Sequence, residues 1–301
     1  MRIVVALGGN ALLRRRETPT AENQRRNVSR AAEALAPLAR EHQLIITHGN
    51  GPQVGLLALQ GAAGATGGGL PLDILDAETE GMIGYLIEQE LTGRLPAGQQ
   101  CATLLTQIEV DPEDPAFDSP SKPIGPVYDS EQAGRLARER GWAIGRDGEH
   151  YRRIVASPRP RRILELGVIG LLVDQGVIVI CAGGGGIPVV RRADDSLIGV
   201  EAVIDKDAAS ALLASELGAG ALLMLTDVDA VYLDWGKTQA RPLYQVSVAE
   251  IREQVFAPGS MAPKVEAACD FLERGGGLVG IGALTDAQAI LRGEAGTRIR
   301  P

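Results

Sequence analysis

The feature that most restricts this chain recurs along it: a short apolar run rich in β-branched residues that ends in a glycine cluster. Residues 3–7 end in Gly8-Gly9-Asn10, residues 44–47 end in His48-Gly49-Asn50-Gly51, and residues 177–181 end in Ala182 and four glycines, Gly183 to Gly186. Further candidate strands lie near 102–105, 221–225 and 278–281. Segments of helical period separate them, the first over 22–40. Uninterrupted apolar strands alternating with helices imply an α/β fold with a parallel sheet covered on both faces. In such sheets ligands bind beyond the carboxyl ends of the strands, which is where the glycines fall.

From about 111 to 160 the rhythm breaks. The sequence there is rich in Pro, Asp, Ser and Arg and has no strong helical period. Fifty unstructured residues inside a compact domain would be unusual, so this stretch is expected to be an insertion projecting from the sheet. A chain of 301 residues accommodates one large α/β domain or two lobes. The net charge of −8 argues against a protein that coats nucleic acid or an anionic membrane. Any phosphate site must therefore be positive locally, through backbone N–H groups and a few lysines. No apolar run is long enough to cross a bilayer, and residues 2–7 lack the layout of a signal peptide. Cys101, Cys181 and Cys269 are odd in number, far apart and in apolar surroundings, as expected of reduced thiols in a cytoplasmic protein.

Four consecutive glycines cost conformational entropy, and a simple turn needs one or two. What four offer is a loop whose bare amides can approach and wrap an anion. Gly8-Gly9-Asn10 and His48-Gly49-Asn50-Gly51-Pro52-Gln53-Val54-Gly55 repeat the pattern, with Pro52 suited to a first helical turn. His48 itself is expected to be a hydrogen-bonded structural residue. Asp205-Lys206-Asp207 precedes a helical Ala/Leu run. There Lys206 could neutralise phosphate, and Asp205 and Asp207 could contact a metal or hold lysines; a capped helix start with solvated charges is the plainer alternative. The stretch from Thr226 through Asp227 to Tyr232 ends another strand and offers polar groups and one aromatic for a base-binding wall. Gly259-Ser260-Met261-Ala262-Pro263-Lys264 opens a helix with a lysine in its early turns.

Several tempting matches fail. Gly236-Lys237-Thr238 resembles the tail of a P-loop, but Val231 stands where the leading glycine belongs. Residues 275–280 satisfy G-x-G-x-x-G yet lead into a strand instead of following one. No G-x-S-x-G, H-E-x-x-H or paired C-x-x-C is present, which leaves the common hydrolase and zinc readings without support. Phosphoryl transfer needs in-line placement, donors for the equatorial oxygens and cations over developing charge. Glycine loops, two or three lysines and a magnesium-anchoring aspartate meet that need.

Taken together, Val5-Ala6-Leu7-Gly8-Gly9-Asn10-Ala11, the run from His48 to Gly55, Ala182 to Pro188, Ile204-Asp205-Lys206-Asp207 and Gly259 to Lys264 resemble the motif set of the carbamate kinases, within the amino-acid kinase family. Ser121-Lys122-Pro123-Ile124-Gly125-Pro126 and Tyr151 to Pro158 resemble the protruding subdomain that marks them. The resemblance implies a three-layer αβα sandwich with an open, mostly parallel central sheet and a protruding subdomain over 111–160. It also implies a homodimer. An N-terminal lobe (about 1–200) would hold carbamate or carbamoyl phosphate, and a C-terminal lobe (201–301) ATP or ADP with Mg²⁺. By the same resemblance, Gly8, Gly9 and Asn10 would cradle the transferring phosphoryl group. Gly49, Asn50, Gly51, Gly184, Gly185 and Gly186 would line the substrate cavity. Lys206 and Lys264 would neutralise ATP phosphates, Asp205 would place Mg²⁺ or orient the lysines, and Asp227, Tyr232 and Met261 would border the nucleotide. Many other amino-acid kinases carry lysine two residues before the first glycine pair; here it is Ala6, as in carbamate kinases, so Lys122 is the cation expected to serve the transferring group. The implied activity is reversible transfer between ATP and carbamate in arginine breakdown. The alternatives are a kinase of this fold acting on an acyl or phosphonate substrate, and a non-catalytic nucleotide- or amino-acid-binding regulator.

Overall fold

The computed structural model describes residues 1–13, 17, 18, 20–63, 69–256 and 261–301. The chain opens with β1 (Arg2–Leu7), a single helical turn α1 (Gly9–Leu12) and the long helix α2 (Ala21–Glu41). It returns through β2 (Gln43–His48), then α3 (Gly51–Ala63), α4 (Leu72–Thr92), β3 (Cys101–Thr103) and β4 (Gln107–Val110). Next come β5 (Lys122–Tyr128), α5 (Ser130–Arg140), β6 (Ile144–Asp147) and β7 (His150–Val155). After β8 (Pro160–Ile163), α6 (Leu166–Asp174) and β9 (Ile178–Ile180), a tight turn over Gly183–Gly185 leads into β10 (Ile187–Arg191) and β11 (Leu197–Gly199). The last part holds α7 (Lys206–Glu216), β12 (Ala221–Thr226), β13 (Val231–Leu233), β14 (Arg241–Leu243) and β15 (Gln245–Ser247). It finishes with α8 (Val248–Arg252), α9 (Met261–Glu273), β16 (Leu278–Ala283), α10 (Ala287–Arg292) and β17 (Thr297–Arg300).

Eight strands form the central sheet in the order β15-β17-β16-β12-β1-β2-β9-β3. From β16 to β3 every pairing is parallel, and the β16–β17 pairing is antiparallel. Because side chains alternate across a strand, β1 feeds two cores. Val4 and Ala6 join the cluster under α6, α7 and α9, whereas Ile3, Val5 and Leu7 join the cluster under α2, α4 and α10. That is the three-layer αβα sandwich, with both faces buried.

The topology explains why the glycine motifs matter jointly. Strands β12, β1, β2 and β9 are consecutive neighbours, with Leu7 level with both Leu225 and His48. Gly8, Gly49 and Gly183 therefore leave the same sheet edge side by side.

The segment expected as one insertion divides into two parts. Residues 122–155 form a protruding unit, with the three-stranded sheet β5-β7-β6 and helix α5. Residues 111–118 stay with the body, where Asp111 pairs with Arg161 and Asp114 accepts from the Arg159 amide at 3.0 Å. Helix α5 is short and polar but amphipathic at helical spacing, with Ala133 and Leu136 on its buried side, against the expectation of no strong helical period in this stretch. Its ends are well marked. Asp129 and Gln132 form a capping box, and Gly141 closes the helix in the left-handed conformation. A second, four-stranded sheet, β11-β10-β4-β8, was not legible in the periodicity.

Candidate active site

Helix α7 is built to begin where it does. Asp205 caps it, its Oδ1 accepting from the amides of Asp207 (2.9 Å) and Ala208 (3.2 Å). The next two side chains do not reach solvent, against the plainer expectation of solvated charges at a helix start. Lys206 and Asp207 are buried, and Lys206 Nζ donates to Asp207 Oδ1 at 2.6 Å. From the first turns of α9, Lys264 Nζ donates to the other oxygen, Asp207 Oδ2, at 2.8 Å. One carboxylate thus holds two ammonium groups from two helices. Burial by itself would raise the Asp207 carboxyl, but Lys206 and Lys264 outweigh it and hold the group well below the usual carboxylate range. Burial lowers Lys206, with the nearby charge of Lys264 adding to the effect. For Lys264 burial acts the same way, but the attraction of Asp207 exceeds it and the net direction is upward.

Asp205 makes no hydrogen bond to those lysines, although its charge favours the protonated form of both. Its Oδ2 meets Lys122 Nζ, which reaches in from the first residue of β5 on the protruding unit. A crevice of about 400 Å³ runs from this ion pair between α7, α9 and the base of that unit, with Lys122 and Asp205 among its lining residues. Lys206, Lys264 and the glycine loops lie outside it.

The glycine loops are less bare than the sequence suggests. Ala182, Gly184, Gly185 and Gly186 all have positive φ, so the chain doubles back on itself. The amides of Gly185 and Gly186 are turned inward to Ala182 (3.1 Å) and Gly183 (2.9 Å). Gly183 N–H donates to Glu80 Oε1 at 2.7 Å, leaving Gly184 N–H without a hydrogen bond among the described residues. A side chain at Gly184 would collide with the Asn50 amide, and one at Gly185 with the carbonyl of Ile204 just ahead of α7. The Gly8 and Gly49 amides are likewise occupied, by Leu225 and Leu7 carbonyls at 2.8 and 3.0 Å. Gly9 and Gly51 stand at the starts of α1 and α3, where helix amides are free of intrahelical partners. The Asn10 side chain, with Gly259 and Ser260, lies outside the described residues.

Helix α4, which no motif singled out, supports these loops. Asn50 Nδ2 donates to Asp76 Oδ1 (2.9 Å) and Thr79 Oγ1 (3.0 Å). Glu80 Oε2 accepts from Thr106 N–H at 3.1 Å, and Thr106 Oγ1 accepts from Ala182 N–H at 2.9 Å. Burial pushes Glu80 up to about 8 and Asp76 well above the usual carboxylate range. His48 is fully buried and pushed down to about 4, chiefly by burial, so it is a neutral structural imidazole at pH 7. Asp76, Thr79 and Glu80 fall on α4 at helical spacing, but a mid-helix acid reads as surface charge until the fold buries it.

The nucleotide-side candidates are more scattered. Thr226 Oγ1 donates to Asp227 at 3.1 Å, and Asp227 lies close enough to Lys264 to help hold its proton. The Tyr232 hydroxyl bonds Asp229, and its ring meets the exposed Trp235 edge-on at a centroid distance of 5.1 Å. Trp235 was not expected at this site. Met261, at the start of α9, packs partly buried against the core.

The Amino acid kinase family model matches residues 1–281. The chain is 55% identical over 301 residues to a carbamate kinase of Rhizobium meliloti (strain 1021), covering 99% of this chain and 93% of that one. It is also 55% identical to the Haemophilus influenzae carbamate kinase, over 99% and 96% of the two chains. Among solved structures, carbamate kinase from Giardia lamblia bound to citric acid superposes with a TM-score of 0.92 at 39% identity, covering 99% of this chain and 98% of that one. The same enzyme bound to AMP-PNP superposes with a TM-score of 0.88.

Proposed function

This chain belongs to the amino acid kinase family and is an ATP-dependent phosphotransferase of its carbamate kinase branch, and on that premise we propose that it transfers phosphoryl groups reversibly between carbamoyl phosphate and ADP. The observation that carries this reading is the buried Lys206–Asp207–Lys264 bridge beside three converging glycine loops. Two buried cations joined by a single carboxylate leave a net positive charge, which suits a polyphosphate in an otherwise acidic protein.

In the direction of ATP formation, an oxygen of the ADP β-phosphate attacks the phosphorus of carbamoyl phosphate. The bond from that phosphorus to the carbamate oxygen breaks, and carbamate leaves as an anion. Attacking and leaving groups are both anionic oxygens, so no general base is required. The work left to the protein is positioning and charge stabilisation. Lys206 and Lys264 take the nucleotide phosphates. Lys122 takes the transferring group, in the role left open by Ala6, alongside Gly8, Gly9 and Asn10. Gly49, Asn50, Gly51 and Gly184 to Gly186 form the carbamate side, within the lobe of residues 1–200. Asp227, Tyr232 and Met261 border the nucleotide in the lobe of residues 201–301.

Mg²⁺ fits this donor set in one way. No cluster of three or more His, Cys, Asp or Glu side chains is arranged to cage a metal among the described residues. Asp205 offers one carboxylate oxygen beyond its capping role, the one that meets Lys122. Asp205 would hold a Mg²⁺ that keeps its waters and comes with the nucleotide, and the ion would supply positive charge to the phosphates.

Carbamoyl phosphate is a high-energy donor, which favours ATP formation as the physiological direction and a cytoplasmic place in arginine breakdown. A homodimer is favoured by an uncovered apolar face. Tyr85 (52% exposed), Met82 and Ile74 project from α4 beside Leu105 (50% exposed), next to the sheet's edge strand β3.

The decisive assay mixes the protein with carbamoyl phosphate, Mg²⁺ and ADP and follows ATP, with Lys264→Ala as control. Rapid ATP formation that the variant loses supports the assignment. Absence of ATP from a protein that still binds nucleotide would redirect the search to other acyl phosphates.

A further inference from the structure

Lys122 reaches Asp205 from the unit of residues 122–155, so the contacts between that unit and the body set where its ammonium group stands. The hydrophobic contact is small: Val54, Ala58, Leu72 and Leu75 pack against Ile124 and Val155, with Val203 beneath. Within it the backbones of α3 and β5 touch directly. A Cβ built on Gly55 would lie inside van der Waals distance of Gly125 Cα and N, and 3.0 Å from the Ile124 carbonyl carbon. In the reverse direction, a Cβ on Gly125 would come within 3.2 Å of Gly55 Cα. Gly125 also has φ +72, where other residues are strained. Its carbonyl is fixed from the far side by Arg152, whose Nε (3.0 Å) and Nη2 (2.7 Å) both donate to it. Lys122 lies three residues away on the same strand.

We propose that the Gly55–Gly125 backbone contact is the fulcrum that positions Lys122, making Gly55 a positioning residue for phosphoryl transfer although it touches no substrate. The inference rests on the role given to Lys122 above. Carbon atoms pack at about 3.5–4 Å, so a methyl group at position 55 must part the two backbones by more than about 1 Å. Strand β5 is the side that yields, because α3 continues from the Gly49–Asn50–Gly51 loop, where Asn50 is held by Asp76 and Thr79. Lys122 then leaves Asp205, while Lys206 and Lys264, held by Asp207, stay in place. A displacement of about 1 Å in a positioned group costs on the order of 10²-fold in turnover.

The test is a double-substitution cycle on kcat for ATP formation, with ADP affinity measured alongside. Gly55→Ala is expected to lower kcat about 10²-fold, leave ADP affinity within about twofold, and add nothing when combined with Lys122→Ala, because residues acting through one interaction are not additive. A kcat near wild type for Gly55→Ala would overturn the proposal, and so would an equal loss on the wild-type and Lys122→Ala backgrounds. If Lys122→Ala itself is close to wild type, the catalytic reading of Lys122 fails. The positioning claim is then decided by the crystal structure of Gly55→Ala: a broken Lys122–Asp205 contact sustains it, an intact one refutes it. Should Gly55→Ala fail to fold, Gly125→Ala probes the same contact from β5, where the new Cβ encroaches less but φ +72 adds strain, and it is held to the same outcomes.

Discussion

Replacing Asp207 with asparagine removes the single negative charge between two buried ammonium groups without changing the shape of the side chain. In the native protein Asp207 lies 2.6 Å from Lys206 Nζ and 2.8 Å from Lys264 Nζ, and all three side chains are at most 13% exposed. Two ammonium groups bonded to the two oxygens of one carboxylate repel by roughly 2–3 kcal/mol at an effective dielectric constant near 20. Breaking a buried pair from one side costs about 3–5 kcal/mol by comparison with other buried pairs. The two figures overlap, and at about 2 °C per kcal/mol for a chain of this size the melting temperature should fall by about 6–10 °C at pH 7.

The pH dependence of that deficit carries the sign. The Asp207 carboxyl is held below its unfolded value, so its stabilisation is complete above about pH 4 and fades as pH falls through the folded pKa. The gap between wild type and Asp207→Asn should therefore narrow in acid. It should also narrow towards pH 10, because a lysine that loses its proton relieves the repulsion. Scanning calorimetry at pH 3, 7 and 9.5, with and without ATP, reads all of this. ATP should restore much of the loss at pH 7 by supplying the missing negative charge. A variant that melts within about 2 °C of wild type at pH 7, or whose deficit ignores both pH and ATP, would refute the bridge as an electrostatic unit.

Three further outcomes are expected. Lys122→Ala should reduce turnover by about 10²-fold or more, the scale of losing a preorganised donor, as read by steady-state ATP formation; near-normal turnover would remove Lys122 from the mechanism. Glu80, pushed up to about 8, binds its proton more tightly folded than unfolded, so it makes stability decline as pH rises from about 4.5 to 8. In Glu80→Gln that slope should flatten in urea midpoints across this range, and the KM for carbamoyl phosphate should rise because an amide cannot accept from both Gly183 and Thr106; an unchanged slope would argue against the buried acid. Leu105→Asp combined with Tyr85→Asp should yield a monomer in sedimentation or light scattering, and a wild-type protein that is itself monomeric would remove the dimer.

Much of this protein was legible before folding. Apolar runs stopping at glycine marked β1, β2 and β9, and they marked the sheet edge at which ligands belong. That legibility has a local cause: a strand buried on both faces must be apolar throughout, and a close-turning loop must carry glycine. Lys206 and Lys264 could be placed at helix starts for the same reason, since each follows a recognisable motif.

What tertiary structure alone decided are relations between distant residues. Asp207, not Asp205, clamps the two lysines, a matter of how α7 and α9 lie together; Asp205 turns instead to the helix cap and Lys122. The acids Asp76 and Glu80 look like surface charges on α4 until the sheet buries them against Asn50 and Gly183, and burial is what makes them weak acids. Three of the four glycine amides are spent inside the protein, which depends on Glu80 and on the turn at Ala182. Sequence specifies which groups are available and where the chain must turn. Only the packing of helices from distant parts of the chain assigns each charge its partner, because Coulomb energy and desolvation depend on distance in space and not along the chain.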